Sequence, residues 1–231
     1  TLTIIGVGLV VRTLADKEPK QEQATSGKTI TFRDVIKSKK FTGNMLIYAA
    51  SSAIFFAWLT GSPFVMTQMG YSGSDIGLSY VPQTIAFIVG GYGCRWALER
   101  FNAQQVLPWI LKLSIASVVT VFLVSWRMDV SSIIPMLIPF CFLAAANGAV
   151  YPIVVNNALI DFKEGSAVAS GLLNFLQMLF CVAASAMVSS ISYMGAISMG
   201  SIMLLQLVFL FIGAVMVFKA NKEENMVLAG Q

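Results

Sequence analysis

The chain alternates between long apolar stretches and short polar connections. Six apolar stretches fill most of residues 43–218, and each has about the ~20 residues that a helix needs to cross the hydrocarbon core of a bilayer. Strands of a membrane barrel would instead give segments of ~10 residues with alternating polarity, which this sequence does not show. We therefore predict an all-α membrane protein with a six-helix transmembrane bundle. The predicted spans are 43–66, 76–98, 105–126, 133–155, 166–192 and 196–218.

Composition agrees with this class and argues against several others. Hydrophobic residues make up 57% of the chain and charged residues 11%, which is about half the usual charged share of a soluble domain. The chain has no histidine, so the commonest general base and metal ligand is missing, and neither an enzyme nor a cofactor is predicted. Cys94, Cys141 and Cys181 lie far apart within apolar runs, which is typical of small buried side chains.

The basic residues predict the orientation of the chain in the membrane. All 15 Lys and Arg except Lys112 and Arg127 fall on the amino-terminal segment, on alternate connections or on the tail. Because Lys and Arg concentrate on the cytoplasmic side, residues 12–42 and the tail are predicted to be cytoplasmic. The net charge of +4 is thus an orientation signal, and no nucleic-acid partner is needed to explain it.

Four parts follow from these patterns. Residues 1–11 are apolar and resemble the end of a preceding transmembrane helix, and residues 12–42 form a polar cytoplasmic linker with a short amphipathic helix near 30–36. Residues 43–218 form the bundle, and residues 219–231 form a cytoplasmic tail. We expect such an arrangement from the second half of a larger transporter.

Two prolines indicate an internal repeat. Pro63 and Pro152 each lie about twenty residues into the first helix of a group of three. Proline frees a backbone carbonyl, which membrane helices tolerate where protein or a cavity satisfies it. Helices 1–3 and 4–6 of the bundle are therefore predicted to be two inverted three-helix repeats.

Several motifs resemble a known family. They are residues 55–65 (FFAWLTGSPFV) with 70–77 (GYSGSDIG), residues 148–152 (GAVYP) followed by Asn156 and Asn157, and residues 165–177 (GSAVASGLLNFLQ). In order and spacing they resemble helices seven, eight, ten and eleven of the major facilitator superfamily, specifically its Bcr/CflA-type drug:proton antiporters.

The resemblance implies the carboxyl-terminal half of a proton-coupled efflux transporter that works by alternating access. It also implies a bacterial inner-membrane location, contact with membrane lipid, and a small amphipathic organic substrate. No Asp or Glu lies well inside the six predicted helices. By resemblance, the carboxylates that exchange protons, which are the usual coupling groups in membranes, belong to the amino-terminal half.

Uncharged polar and aromatic residues supply the candidate binding site. They recur at i, i+3, i+4 and i+7, so several of them share one face of a helix. Amide and phenol groups are costly against lipid, so they should face a cavity or bond to another helix. The predicted substrate-contacting residues are Tyr48, Ser52, Phe55, Gln83, Asn147, Tyr151, Asn174 and Gln177.

Two alternatives to an exporter remain open from the sequence. A proton symporter that imports a small metabolite has the same patterns as an exporter, and so does a six-helix membrane subunit without transport activity.

Small residues such as Gly77, Gly90, Gly93 and Gly171 in the second and fifth helices fit either of two roles. They allow tight static packing, or they form smooth surfaces against which another half of the transporter rocks.

Overall fold

The computed structural model describes residues 32–127, 132–162 and 165–229, and within them the chain is helical without any strand. The helices are α1 Phe32–Lys37, α2 Lys39–Gln68, α3 Gly73–Leu98, α4 Ala103–Arg127, α5 Ile134–Leu159, α6 Ser166–Ser190 and α7 Ala196–Ala229. The predicted all-α bundle is confirmed. The predicted helix end at 1–11, the linker residues 12–31 and parts of two loops (128–131 and 163–164) lie outside the described residues, as do residues 230 and 231.

The helix ends differ from the apolar stretches where local hydrogen bonds extend a helix. Helix α2 begins at Lys39, four residues before its apolar stretch, because the Ser38 hydroxyl accepts a bond from the Phe41 amide at 3.2 Å. Helix α7 continues to Ala229, so most of the predicted tail is helical. The short helix predicted near 30–36 is present as α1, Phe32–Lys37.

Five of the six long helices are long and apolar enough to cross a membrane: α2, α4, α5, α6 and α7. Helix α3 has 26 residues, which also suffice, but its composition is less apolar. It contains Gln83, two serines and five glycines, and few of its side chains are buried. Its length fits a sixth span, whereas its composition fits a helix that faces lipid on only part of its surface.

Exposed tryptophans beside cations mark both ends of the bundle. Trp109 and Trp126 lie near opposite ends of α4, with Lys112 Nζ 4.6 Å and Arg127 Cζ 5.7 Å from their rings. Seventeen residues separate the two rings, or about 25 Å of helix, close to the ~30 Å hydrocarbon thickness. Tryptophans are enriched at membrane interfaces, so this spacing places the bundle across a bilayer.

Ion pairs define one end of the bundle. Lys39 at the start of α2 lies 3.7 Å from Glu223 in α7, and Lys40 lies 3.8 Å from Asp161 after α5. We call this end the basic end; it is formed by α1 and by residues 39–40, 99–102, 160–162, 165–166 and 219–223. The opposite end, with the α2–α3 and α6–α7 connections, is the far end.

The six long helices pack with a twofold correspondence between their two halves. Helices α2 and α5 contact each other at the centre. Helix α2 packs mainly on α7 and α6, and α5 packs mainly on α3 and α4, while α4 also contacts α7. The first helix of each group of three thus packs on the second and third helices of the other group. This exchange is the arrangement expected for the predicted inverted repeats.

Glycines permit the closest of these contacts. A Cβ at Gly90 of α3 would overlap the Ala145 carbonyl of α5, and a Cβ at Gly148 would overlap the Phe87 carbonyl. On the other side of the bundle, a Cβ at Gly213 of α7 would lie 2.8 Å from the Gly43 carbonyl oxygen of α2. Backbones approach closely at both crossings, as small residues allow in membranes.

The α3–α5 crossing yields a stability prediction. Gly90→Ala should lower the free energy of unfolding by about 1–3 kcal/mol, because the added methyl group collides with rigid backbone. The measurement is the thermal midpoint of the purified protein in detergent. Gly93→Ala is the matched control, since open space surrounds that position on the same helix. Equal midpoints for the two variants would contradict the close crossing.

Candidate functional site

A hydroxyl pair joins the two central helices. The Ser52 hydroxyl of α2 donates to the Tyr48 carbonyl at 2.9 Å, which uses its single proton. The Tyr151 hydroxyl of α5, 2.8 Å from the Ser52 oxygen, is therefore the donor between these two groups. Both residues were predicted as site residues, and the structure brings them into direct contact.

A second polar contact lies one turn away. The Asn147 side-chain amide of α5 donates to the Ser51 carbonyl of α2 at 3.3 Å. Asn147 is buried, and its position one turn before Tyr151 puts both residues on the same face of α5. Two of the predicted residues therefore join α5 to α2 through hydrogen bonds.

Aromatic rings continue this contact toward the far end. The centroids of Tyr48 and Tyr151 are 5.1 Å apart, and those of Tyr151 and Phe87 are 5.8 Å apart. Phe55 lies 6.5 Å from Phe87. Edge and tilted arrangements at these separations are favourable for aromatic pairs.

The row ends on two fully buried rings. Phe55 lies 5.4 Å from Phe140, and Phe140 stacks on Trp58 at 4.1 Å. The remaining four rings are only half-buried, so the buried pair fixes one end of the row while the others keep accessible surface. We call this set the aromatic row; its members are Tyr48, Tyr151, Phe87, Phe55, Phe140 and Trp58.

The aromatic row has a polar end and an apolar end. Tyr48 and Trp58 are ten residues apart on α2, or about 15 Å along the helix. The hydroxyls of Tyr48, Ser52 and Tyr151 lie in the half nearer the basic end, and Trp58 stacked on Phe140 lies in the half nearer the far end. This arrangement suits a molecule with a hydrogen-bonding group at one end and an apolar body at the other.

Gln83 of α3 lies one turn from the aromatic row. It is buried, its amide donates to the Ser79 carbonyl at 2.9 Å, and its side-chain oxygen has no partner among the described residues. It is four residues before Phe87, so both lie on the same face of α3. A buried amide oxygen without a partner is costly and is available to accept a bond.

The two predicted residues of α6 occupy different environments. Gln177 is buried, and its amide lies 4.0 Å from the Cys181 sulfur one turn later. Tyr48 packs against a buried cluster that contains Leu172 and Leu173 of α6, which places this part of α6 beside the polar end of the row. Asn174 is exposed, and the structure gives it no hydrogen bond to the described residues. The structure does not bring Asn174 into contact with the aromatic row.

Three residues of the aromatic row were absent from the predicted set: Phe87, Phe140 and Trp58. Phe140 precedes Asn147 by seven residues, Trp58 follows Phe55 by three, and Phe87 follows Gln83 by four. That spacing puts each on the face of a predicted site residue, so the signal was present in the sequence. The contact between rings of different helices, in contrast, requires the packing of α2, α3 and α5.

Comparison with known families decides the class of protein. The family model described as the Major Facilitator Superfamily matches residues 1–185, which is most of the chain. The chain belongs to the major facilitator superfamily. A search of curated proteins and a search of solved structures each gave no match. Membership implies a multi-pass transporter of small molecules that is not an enzyme, and the all-helical bundle fits half of such a transporter.

The hydroxyl pair yields a prediction for this major facilitator protein. Tyr151→Phe should lower the free energy of unfolding by about 0.5–1.5 kcal/mol, because it removes the bond to Ser52 and keeps the ring contacts. Chemical or thermal unfolding in detergent provides the measurement. Tyr92→Phe is the control, since Tyr92 is 71% exposed on α3. A loss as large at Tyr92 as at Tyr151 would contradict the assigned role of the hydroxyl pair.

Proposed function

We propose that this chain forms one six-helix lobe of a proton-coupled exporter for small amphipathic organic molecules, of the Bcr/CflA drug:proton antiporter type. The lobe works by alternating access, and the substrate is held against the aromatic row. One observation carries the proposal: α2, α3 and α5 together present half-buried rings and hydroxyls without any charged group among them. An uncharged, mostly aromatic surface with few polar groups is typical of small-molecule sites.

The position of the row supports a site shared with a second lobe. Helices α3 and α6 flank the central pair and are the least buried of the long helices. A Cβ at Gly77 or Gly93 would meet no atom within 4 Å, so these two glycines of α3 do not pack within the described bundle. Gly90, in contrast, is used in the α3–α5 crossing. The two proposed roles for small residues are therefore divided between positions, and the uncovered glycines suit a sliding surface.

Proton coupling is assigned to the other lobe. The acidic side chains that the structure describes lie in α1 or at the ends of the long helices: Asp34, Asp75, Glu99, Asp161 and Glu223. None of them is at mid-membrane depth, where a carboxylate would carry protons. The proposal also places the basic end in the cytoplasm of a bacterial inner membrane, since Lys and Arg favour that side.

The binding role of the aromatic row predicts a change in selectivity. Phe55→Leu in the complete transporter should weaken export of aromatic substrates by roughly tenfold, as expected for one lost aromatic contact. Export by cells that express each variant at equal level is the measurement. Phe211→Leu is the matched control, because Phe211 of α7 is 63% exposed and lies outside the row. Identical export by both variants would remove the row from the site.

The same export assay tests the two predicted residues of α6, Gln177 and Asn174, one at a time. Gln177→Ala should alter the range of exported substrates, because Gln177 is buried beside the polar end of the row. Asn174→Ala, predicted from sequence to behave alike, tests whether its exposed amide contacts substrate from the uncovered face. An unchanged export profile for either variant, at normal expression, would remove that residue from the proposed site.

Transport direction requires its own experiment. Membrane vesicles with the cytoplasmic face outward, acidified inside, should accumulate substrate if the protein is an antiporter. Uptake that instead requires acid on the outside of these vesicles would support a symporter. Absence of any pH-driven movement by the complete protein would support a membrane subunit without this activity.

A further inference from the structure

An apolar groove lies at the basic end, away from the aromatic row. It has a volume of about 610 Å³ and is lined by Phe32 of α1 and by one face of the first turns of α6. The α6 residues are Ala167, Val168, Gly171, Leu172 and Phe175. The groove has nearly no polar lining, and it follows α6 for about 12 Å, from Ala167 to Phe175.

The groove exists because a small residue faces two large ones. Gly171 has no atom within 4 Å of where its Cβ would lie, so the space between Phe32 and Phe175 stays open. Its volume is within the range of small-molecule sites, and its lining suits a hydrocarbon chain. A hydrophilic ligand would find no bonding group in it.

Helix α1 is held firmly beside this groove. Val35 is fully buried in a cluster with Phe41, Leu172 and Leu173. The Thr42 hydroxyl donates to the Ile36 carbonyl at 2.7 Å, which fixes the turn from α1 into α2. The wall that Phe32 supplies is therefore part of the packed structure.

The exposed side of α1 carries apolar side chains, two cations and one acidic residue, Asp34. Phe32 and Ile36 are 58% and 50% exposed, and Arg33 and Lys37 follow each of them by one residue. Phe32 and Ile36 are four residues apart, and so are Arg33 and Lys37. An apolar stripe therefore runs beside a basic stripe on α1. Short helices of this kind lie at the membrane surface and attract anionic lipids.

The two cations of α1 differ from their neighbours in having no ion pair. Lys39 pairs with Glu223, and Lys40 pairs with Asp161. The part of the chain that the structure describes provides no such acidic partner for Arg33 or Lys37. An anion beside them would complement two unpaired charges next to a hydrocarbon-lined groove.

We propose that this groove binds one acidic phospholipid, with an acyl chain between Phe32 and α6 and the phosphate beside Arg33 and Lys37. The site is separate from the aromatic row, and it depends only on the placement of the bundle in a membrane. It therefore stands or fails independently of the proposed substrate and direction of transport.

Native mass spectrometry of the complete transporter with equal amounts of phosphatidylglycerol and phosphatidylethanolamine tests the acyl-chain site. Gly171→Leu should fill the groove and weaken the tightest phosphatidylglycerol adduct by at least about tenfold. Gly77→Leu is the matched control, because open space surrounds that glycine on an exposed face of α3. Equal lipid retention by both variants would overturn the proposal.

The headgroup site has a matched charge control. Arg33→Gln with Lys37→Gln should reduce the preference for phosphatidylglycerol over phosphatidylethanolamine by up to roughly thirtyfold. Lys219→Gln with Lys222→Gln removes two cations from α7 at the same basic end and should leave that preference intact. An unchanged preference in the α1 double variant would overturn the headgroup assignment. Cross-linking of Gly171→Cys to another protein segment, with no lipid lost from Gly171→Leu, would assign the groove to protein instead.

Discussion

The contact between α2 and α5 is the constraint on which the rest of the bundle depends. Within the hydrocarbon layer a polar side chain needs a partner in the protein, because lipid offers none. Ser52 with Tyr151, and Asn147 with the Ser51 carbonyl, provide such partners between the two central helices. Each central helix also packs on two helices of the other repeat. The same few bonds thus fix the register of the core and the position of the candidate site.

The glycine contacts explain how the outer helices hold their places. Close backbone approach at Gly90 and Gly148 sets α3 against α5, and Gly43 with Gly213 sets α7 against α2. Without a hydrophobic driving force between helices, such van der Waals contact is a main source of membrane helix association. Helix α3 can therefore expose most of its surface and still keep Phe87 in the aromatic row.

Much of the fold could be predicted from the sequence, since a long apolar run in this composition has few alternatives. The six helices, the short amphipathic helix and the inverted repeats were recoverable from hydropathy, charge and two prolines. The extension of α7 to Ala229 was not, because its last turns are polar and depend on helix continuation. The composition of α3 also departs from a simple span, and its glycines had two interpretations that only packing could separate.

The candidate site was predicted in part. Helical spacing placed Tyr48, Ser52 and Phe55 on one face. The structure joins the first two to Tyr151 and brings Phe55 against Phe87. Spacing within one helix does not determine which ring of a second helix it meets, so Phe140 and Trp58 were missed. Asn174 was included because amides are costly in lipid, but the exposed face of α6 has an environment that a second lobe would determine.

The central claim is that the face of α2 bearing the aromatic row lines a water-accessible cavity, while other exposed faces contact lipid. Thiol labelling of single cysteines in a cysteine-free form of the complete transporter tests it most directly. We predict that a water-soluble maleimide labels Phe55→Cys, that substrate slows this labelling, and that the adjacent exposed residue, as Phe56→Cys, stays unlabelled. Two results together would contradict this claim: labelling of Phe56→Cys, and no labelling of Phe55→Cys when substrate is absent.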